Sequence, residues 1–226
     1  MGILSSLWSL LITEDEMVTK LITAPTVFLE AWLVFGLLSS ILKIKLTKMQ
    51  ATHCIILLSL NALAAEFLIP APYNVLTNYI MMFLIVELIF RIDIPKTILC
   101  TILPPIFFAL VNMLLLKPFL FVLNTTYEQA NIIPLYKLLY LSLVYATIYL
   151  IIQMIKNYPF KLNFKTKFDK KNKDTLILNL LLGFFTLCVE LYISCFYIDV
   201  LPVFINFLSF ITTLAYFFLS IYSLSK

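Results

Sequence analysis

The segment at 156–174, KNYPFKLNFKTKFDKKNKD, decides how the rest of the chain must be organised. It separates two long apolar runs, and short loops rich in lysine or arginine stay on the cytoplasmic side of a membrane. The segment therefore predicts a membrane location and also which side of the membrane each end of every helix faces. Its seven lysines are Lys156, Lys161, Lys165, Lys167, Lys170, Lys171 and Lys173.

Composition indicates an integral membrane protein. Of the 226 residues, 62% are hydrophobic and only 12% are charged, and the mean hydropathy is +1.03. A soluble domain could not bury that much apolar surface. The net charge of +4 does not indicate nucleic-acid binding, because the basic residues concentrate in connecting loops. The richness in Lys, Asn, Ile, Phe and Tyr is typical of an AT-rich genome and favours the plasma membrane of a bacterium.

Seven apolar runs predict an all-α, polytopic bundle of about seven transmembrane helices. A span needs about 20 apolar residues, and a helix satisfies its own backbone polar groups in lipid. The predicted spans are 21–42, 52–69, 75–90, 97–123, 135–155, 175–197 and 201–224. The apolar run at 3–12 is too short to span a membrane and lacks the basic start of a signal peptide, and Glu14, Asp15 and Glu16 follow it. We therefore expect residues 1–20 to form an interfacial segment anchored by Trp8. Residues 21–226 would then form one transmembrane domain.

The distribution of basic residues predicts an outer amino terminus and a cytoplasmic carboxyl terminus. In this orientation the inner segments are 43–51, 91–96, 156–174 and the tail, and they hold 13 of the 16 basic residues. The opposite orientation would place most of the lysines outside, against the positive-inside rule. The three basic residues left for the outer side are Lys20, Lys117 and Lys137.

Four carboxylates fall inside the predicted spans: Glu30, Glu66, Glu87 and Glu190. Charged groups are costly in a bilayer and often mark function, and no lysine or arginine lies deep in a span to pair with them. We expect Glu30, Glu66 and Glu190 to line a ligand or ion pocket. The alternative is that these residues only form hydrogen bonds between helices, with Glu87 simply lying near the membrane interface.

Two predicted outer segments carry little charge, 70–74 (PAPYN) and 124–134 (NTTYEQANIIP). The second is the larger, and its Tyr127 and Glu128 are candidate ligand contacts.

A proline pair, Pro104 and Pro105, interrupts the fourth predicted span. Proline removes a backbone donor and kinks a helix. The pair could act as a hinge that transmits a signal, and a static kink explains it equally well.

Catalytic and metal-binding patterns are missing from the sequence. His53 is the sole histidine, and it neighbours Cys54 on a helix, where adjacent side chains point in different directions. The four cysteines form no CxxC pair, and no HExxH, GxSxG or Walker pattern occurs. We therefore expect no catalytic residues, no metal and no cofactor in these 226 residues.

Three stretches carry a resemblance to a known family: NTTYEQANIIPLYKLLY at 124–140, FDKKNKDTLILNLLLG at 168–183 and DVLPVFINFLSFITTLAYFFLSIYSL at 199–224. Together they resemble the membrane-embedded sensor region of the accessory-gene-regulator type of quorum-sensing receptor histidine kinases from low-GC Gram-positive bacteria. The resemblance implies a homodimer that receives an extracellular signal, often a modified peptide, and relays it through the last helix to a cytoplasmic kinase.

This chain departs from the full family pattern at its carboxyl end. It stops at 223–226, where the family's dimerisation helix should begin, and contains neither a phosphoacceptor histidine on a cytoplasmic helix nor an ATP-binding domain. We expect either the sensor region of a longer protein or a free-standing relative without a kinase.

Two other functions stay open at this point. A small transporter or substrate-binding membrane subunit would use Glu30 and Glu190 for its substrate or a coupled cation. A membrane protease would need His53 and a cysteine on one catalytic surface, which their adjacent positions disfavour.

Overall fold

The computed structural model describes residues 2–42, 47–70, 73–90 and 94–157, together with 211 and 215. The described part is helical and contains no strand. The basic segment beyond residue 157 and the predicted spans 175–197 and 201–224 lie outside it, apart from 211 and 215. The helices in chain order are α1 (Gly2–Ile12), α2 (Glu16–Thr23), α3 (Thr26–Leu42), α4 (Lys48–Leu68), α5 (Tyr73–Phe90), α6 (Ile94–Leu123), α7 (Tyr127–Ile132) and α8 (Pro134–Asn157).

Three helices of the described part are long and apolar enough to cross a membrane: α4, the Cys100–Leu123 part of α6, and α8. They match the predicted spans 52–69, 97–123 and 135–155. The bent pair of α2 and α3 would make a fourth span. The third predicted span, 75–90, falls on α5, whose apolar part, Leu76–Ile89, is shorter than a usual crossing.

The first predicted span is not one helix. The run at 21–42 is divided between α2 and α3, whose axes differ by 52° at the break. Pro25 has no N–H to donate to the carbonyl of Leu21, so the helical ladder is interrupted there. The Thr26 hydroxyl donates to the carbonyl of Thr23 at 2.7 Å and holds the two sides of the break together. α2 itself begins earlier than predicted, because Asp15 caps its first turn.

A local cap and a proline set the two ends of α4. Thr47 and Gln50 form a capping box that starts α4 at Lys48 rather than at 52. α4 ends at Leu68, two residues before Pro70. In contrast, α6 continues through Pro104, Pro105 and Pro118 without a break.

The centre of the bundle is α3, which contacts α4, α6 and α8. Its buried side chains meet those of the other three helices in one apolar core. Many equally apolar side chains lie on the outside instead, such as Leu68, Phe121 and Leu150. In water this surface would be unfavourable, whereas in a bilayer it faces hydrocarbon. The least exposed large core side chains are Leu33, Leu37, Leu38, Ile41, Leu103, Ile106 and Ile148.

Candidate functional site

Glu30 lies on the first turns of α3, directly after the break at Pro25. The hydroxyl of Tyr145 on α8 donates to its Oε2 at 3.1 Å. Tyr145 stands eleven residues after the start of α8, which is about 16 Å at the helical rise. The carboxylate is therefore held about halfway along a 24-residue helix, well inside the bundle.

A cavity of about 370 Å³ opens beside Glu30, between α3, α4, α5 and α6. We call it the acidic cavity, because Glu30 and Glu66 both line it. Asn74 and Asn78 at the start of α5 also line it, and Asn78 accepts a hydrogen bond of 2.7 Å from Nδ2 of Asn61 on α4. The other lining side chains are apolar: Val27, Ala31, Val34, Leu58, Ala62, Met82, Pro105 and Phe108, with Tyr79.

A second cavity, of about 430 Å³, lies on the other side of Glu30 and is bounded by α3, α6, α7 and α8. We call it the α7–α8 cavity. Tyr127, Lys137 and Tyr140 line it together with Glu30. The Tyr140 hydroxyl lies 3.0 Å from the backbone carbonyl oxygen of Asn112 and 3.1 Å from its side-chain oxygen.

The two cavities share three lining residues, Glu30, Pro105 and Phe108. Although Glu30 lies deep in the bundle, its side chain is exposed, because open space borders it on both sides. A ligand in either cavity would meet the same carboxylate.

The structure brings together most of the predicted ligand residues that it describes. Glu30 and Glu66 line one cavity, and Glu30 and Tyr127 line the other. Glu128 lies exposed on α7 and borders neither cavity. Glu190 lies outside the described residues.

The proline pair lies at the same place. Pro105 lines both cavities, and Pro104 is buried in α6. α6 continues through the pair as one helix, and the movement required of a hinge stays a prediction.

Glu87 takes part in a hydrogen bond between two helices. Its Oε2 accepts a hydrogen bond of 2.7 Å from the hydroxyl of Thr97. This bond joins α5 to α6, away from both cavities.

His53 and Cys54 do not share a surface. His53 is exposed, with its Nδ1 2.7 Å from the carbonyl oxygen of Met49, and Cys54 is fully buried.

Lys137 is the functional candidate that the sequence analysis missed. The sequence pattern placed Lys137 on the outer side and assigned it no role in a site. In the structure it lines the α7–α8 cavity with Glu30 and interacts electrostatically with Glu66. Within the described ranges the one ion pair closer than 4 Å joins Lys20 to Glu16, at 2.8 Å. No ion pair therefore forms among the three charged residues that border the cavities, Glu30, Glu66 and Lys137.

Chemically, this arrangement can bind a ligand that carries both charged and apolar groups. Two carboxylates and one ammonium group can complement charges on a ligand, and the apolar walls can take its hydrocarbon parts. Among residues 2–157, as far as the structure describes them, no group of three His, Cys, Asp or Glu side chains could hold a metal ion. No protein-family model, curated protein or solved structure matches this chain.

Proposed function

We propose that this chain is the membrane-embedded sensing domain of a bacterial signal receptor of the two-component sensor histidine kinase type. The signal is an extracellular molecule, with a peptide as the leading class. One observation carries the proposal: two cavities meet at Glu30, and each is lined by a residue of a predicted outer segment. Asn74 belongs to the segment at 70–74, and Tyr127 belongs to the segment at 124–134.

The positions of charged residues along α4 support an outward opening. Lys48, at one end of α4, belongs to a predicted inner segment, and Glu66 is near the other end. The two are 18 residues apart, which is about 27 Å along a helix and close to the thickness of the hydrocarbon core. Under the positive-inside rule, the end of the helix that carries Glu66 faces outward.

The hydrogen bond between Glu30 and Tyr145 supplies a route for the signal. A ligand that takes the Glu30 carboxylate competes with the Tyr145 hydroxyl, and α8 then loses a contact with α3. α8 runs directly toward the lysine-rich segment at 156–174. Binding at the outer end would thus alter how α8 packs, and the cytoplasmic side could sense the change.

The proposal is tested by ligand protection of a cysteine placed in the acidic cavity. Asn78→Cys protein in nanodiscs is labelled with a maleimide, in the presence of size-fractionated spent medium of the source organism. A fraction that contains the signal should slow labelling of Asn78→Cys but not of Glu14→Cys, which is exposed in the segment before α2 and borders neither cavity. The added variants Glu30→Gln and Glu66→Gln should remove the protection. If Asn78→Cys is labelled equally fast in every fraction, the receptor proposal fails.

A second function, a small transporter or substrate-binding membrane subunit, is favoured by one specific feature. Discontinuous helices often form substrate sites in transporters, and Glu30 lies five residues after Pro25, in the second turn of α3. The discriminating measurement is net uptake into cells of the compound that protects Asn78→Cys. Uptake that Glu30→Gln and Glu190→Gln both abolish favours transport, whereas binding without uptake favours the receptor.

A further inference from the structure

A third opening lies at the Lys156 end of the bundle, between α3, α4 and α8. We call it the α3–α8 groove, and its volume is about 460 Å³. Its lining residues border neither the acidic cavity nor the α7–α8 cavity. The groove is therefore a separate opening from the two cavities of the proposed signal site.

The groove is polar at one end and aromatic at the other. Gln153 and Lys156 form the polar end, in the last two turns of α8. Trp32 and Tyr149 form the aromatic end, where their rings stack with centroids 5.8 Å apart. Tyr149 and Lys156 are seven residues apart on α8, so the two ends are separated by about 10 Å.

Its aromatic end is open to the surroundings of the bundle. Trp32 is 46% exposed and Tyr149 is 41% exposed, on the outer surfaces of α3 and α8. In a bilayer these surfaces face the acyl chains of lipid. The Lys156 side chain is exposed as well, and the lining includes no aspartate or glutamate.

We propose that the α3–α8 groove binds an anionic phospholipid of the inner leaflet. The phosphate would lie against Lys156 and Gln153, and an acyl chain would lie along Trp32 and Tyr149. Basic pockets between transmembrane helices on the cytoplasmic side are suited to anionic head groups. A free phosphate ion would leave the aromatic end of the groove without a partner, which is why a whole lipid fits better.

The two tryptophans of the chain make a direct test possible. Trp8→Phe leaves Trp32 as the single tryptophan, at the aromatic end of the groove. This variant is reconstituted into vesicles of brominated phosphatidylcholine, which quenches tryptophan fluorescence on contact. Unbrominated phosphatidylglycerol or phosphatidylcholine is then added as a competitor. Phosphatidylglycerol should restore the fluorescence at a mole fraction roughly fivefold lower, the factor expected from one lysine near an anionic head group.

Matched lysine variants assign the preference to this groove. Lys156→Gln should make the two competitors equal, and Lys156→Arg should keep the preference for phosphatidylglycerol. Lys48→Gln, which removes an exposed lysine on α4 outside the groove, should also keep it. The proposal is wrong if the two competitors act equally on the Trp8→Phe protein, or if the preference survives in Lys156→Gln.

Discussion

The hydroxyl of Tyr145 on α8 donates a hydrogen bond to Glu30 on α3, across 115 positions of sequence. This contact connects α3, which follows the break at Pro25, to α8, which leads into the lysine-rich segment at 156–174. Because Glu30 borders both cavities, a ligand that enters either one acts on the carboxylate that Tyr145 holds. Without a ligand this hydrogen bond holds α3 against α8. In the proposed bound state the ligand would break it and so pass the signal to α8.

Tyr145→Phe should lower the free energy of unfolding by about 1 kcal/mol, the usual net contribution of one hydrogen bond. Tyr149→Phe is the matched control, because its ring is exposed and phenylalanine preserves the stacking on Trp32. Thermal unfolding in detergent measures both variants. Equal losses in the two would show that the Glu30–Tyr145 bond does not stabilise the packing of α3 on α8.

Thr97→Val should destabilise the protein by about 1 kcal/mol, the usual net contribution of one hydrogen bond. The change removes the bond to Glu87 that joins α5 and α6. Thr147→Val is the control, because its hydroxyl bonds only within α8, to the carbonyl of Leu143 at 2.9 Å. A Thr97→Val protein as stable as Thr147→Val would contradict the structural role of Glu87.

Tyr127→Ala and Glu128→Ala should separate the two candidates in the outer segment. Tyr127 lines the α7–α8 cavity, whereas Glu128 is exposed outside it. We therefore expect Tyr127→Ala to shift the dose response to the signal at least tenfold and Glu128→Ala to shift it little. The readout is protection by spent medium of a cysteine placed in the same cavity, Asn131→Cys. The reverse order of effects would move the binding surface from the cavity to the exterior of α7.

The size of the native protein tests the kinase part of the proposal. An antibody raised against the segment at 156–174 should detect, in membranes of the source organism, a band well above 26.1 kDa. A band at 26.1 kDa would count against a kinase in the same chain and would favour transport or regulation of a partner.

Much of the helix pattern was predictable from hydropathy, and the break in the first span was not. Averaged hydropathy treats Pro25 as one residue in a long apolar run, whereas the backbone loses a hydrogen bond there. The short helix α7 was also predictable in principle. Thr126 and Gln129 have the capping-box spacing, and both reciprocal bonds of that box form.

For the site, the sequence indicated the residues whose burial is costly, Glu30 and Glu66. It did not indicate Lys137, because lysines near span ends were used only to set the topology. The spacing of Lys137, Leu141 and Tyr145 places all three on one face of a helix, and all three line the α7–α8 cavity. Which face meets a cavity depends on how α8 packs against α6 and α7, and that information is not local.

The most direct test of the central claim is whether the acidic cavity opens to the outside of the cell. Intact cells that produce Asn78→Cys or Lys48→Cys are treated with a membrane-impermeant maleimide, with the parent chain as the blank. Asn78→Cys should be labelled in intact cells, and Lys48→Cys should be labelled only after lysis. If Lys48→Cys is labelled in intact cells while Asn78→Cys needs lysis, the cavity faces the cytoplasm and the receptor account is contradicted.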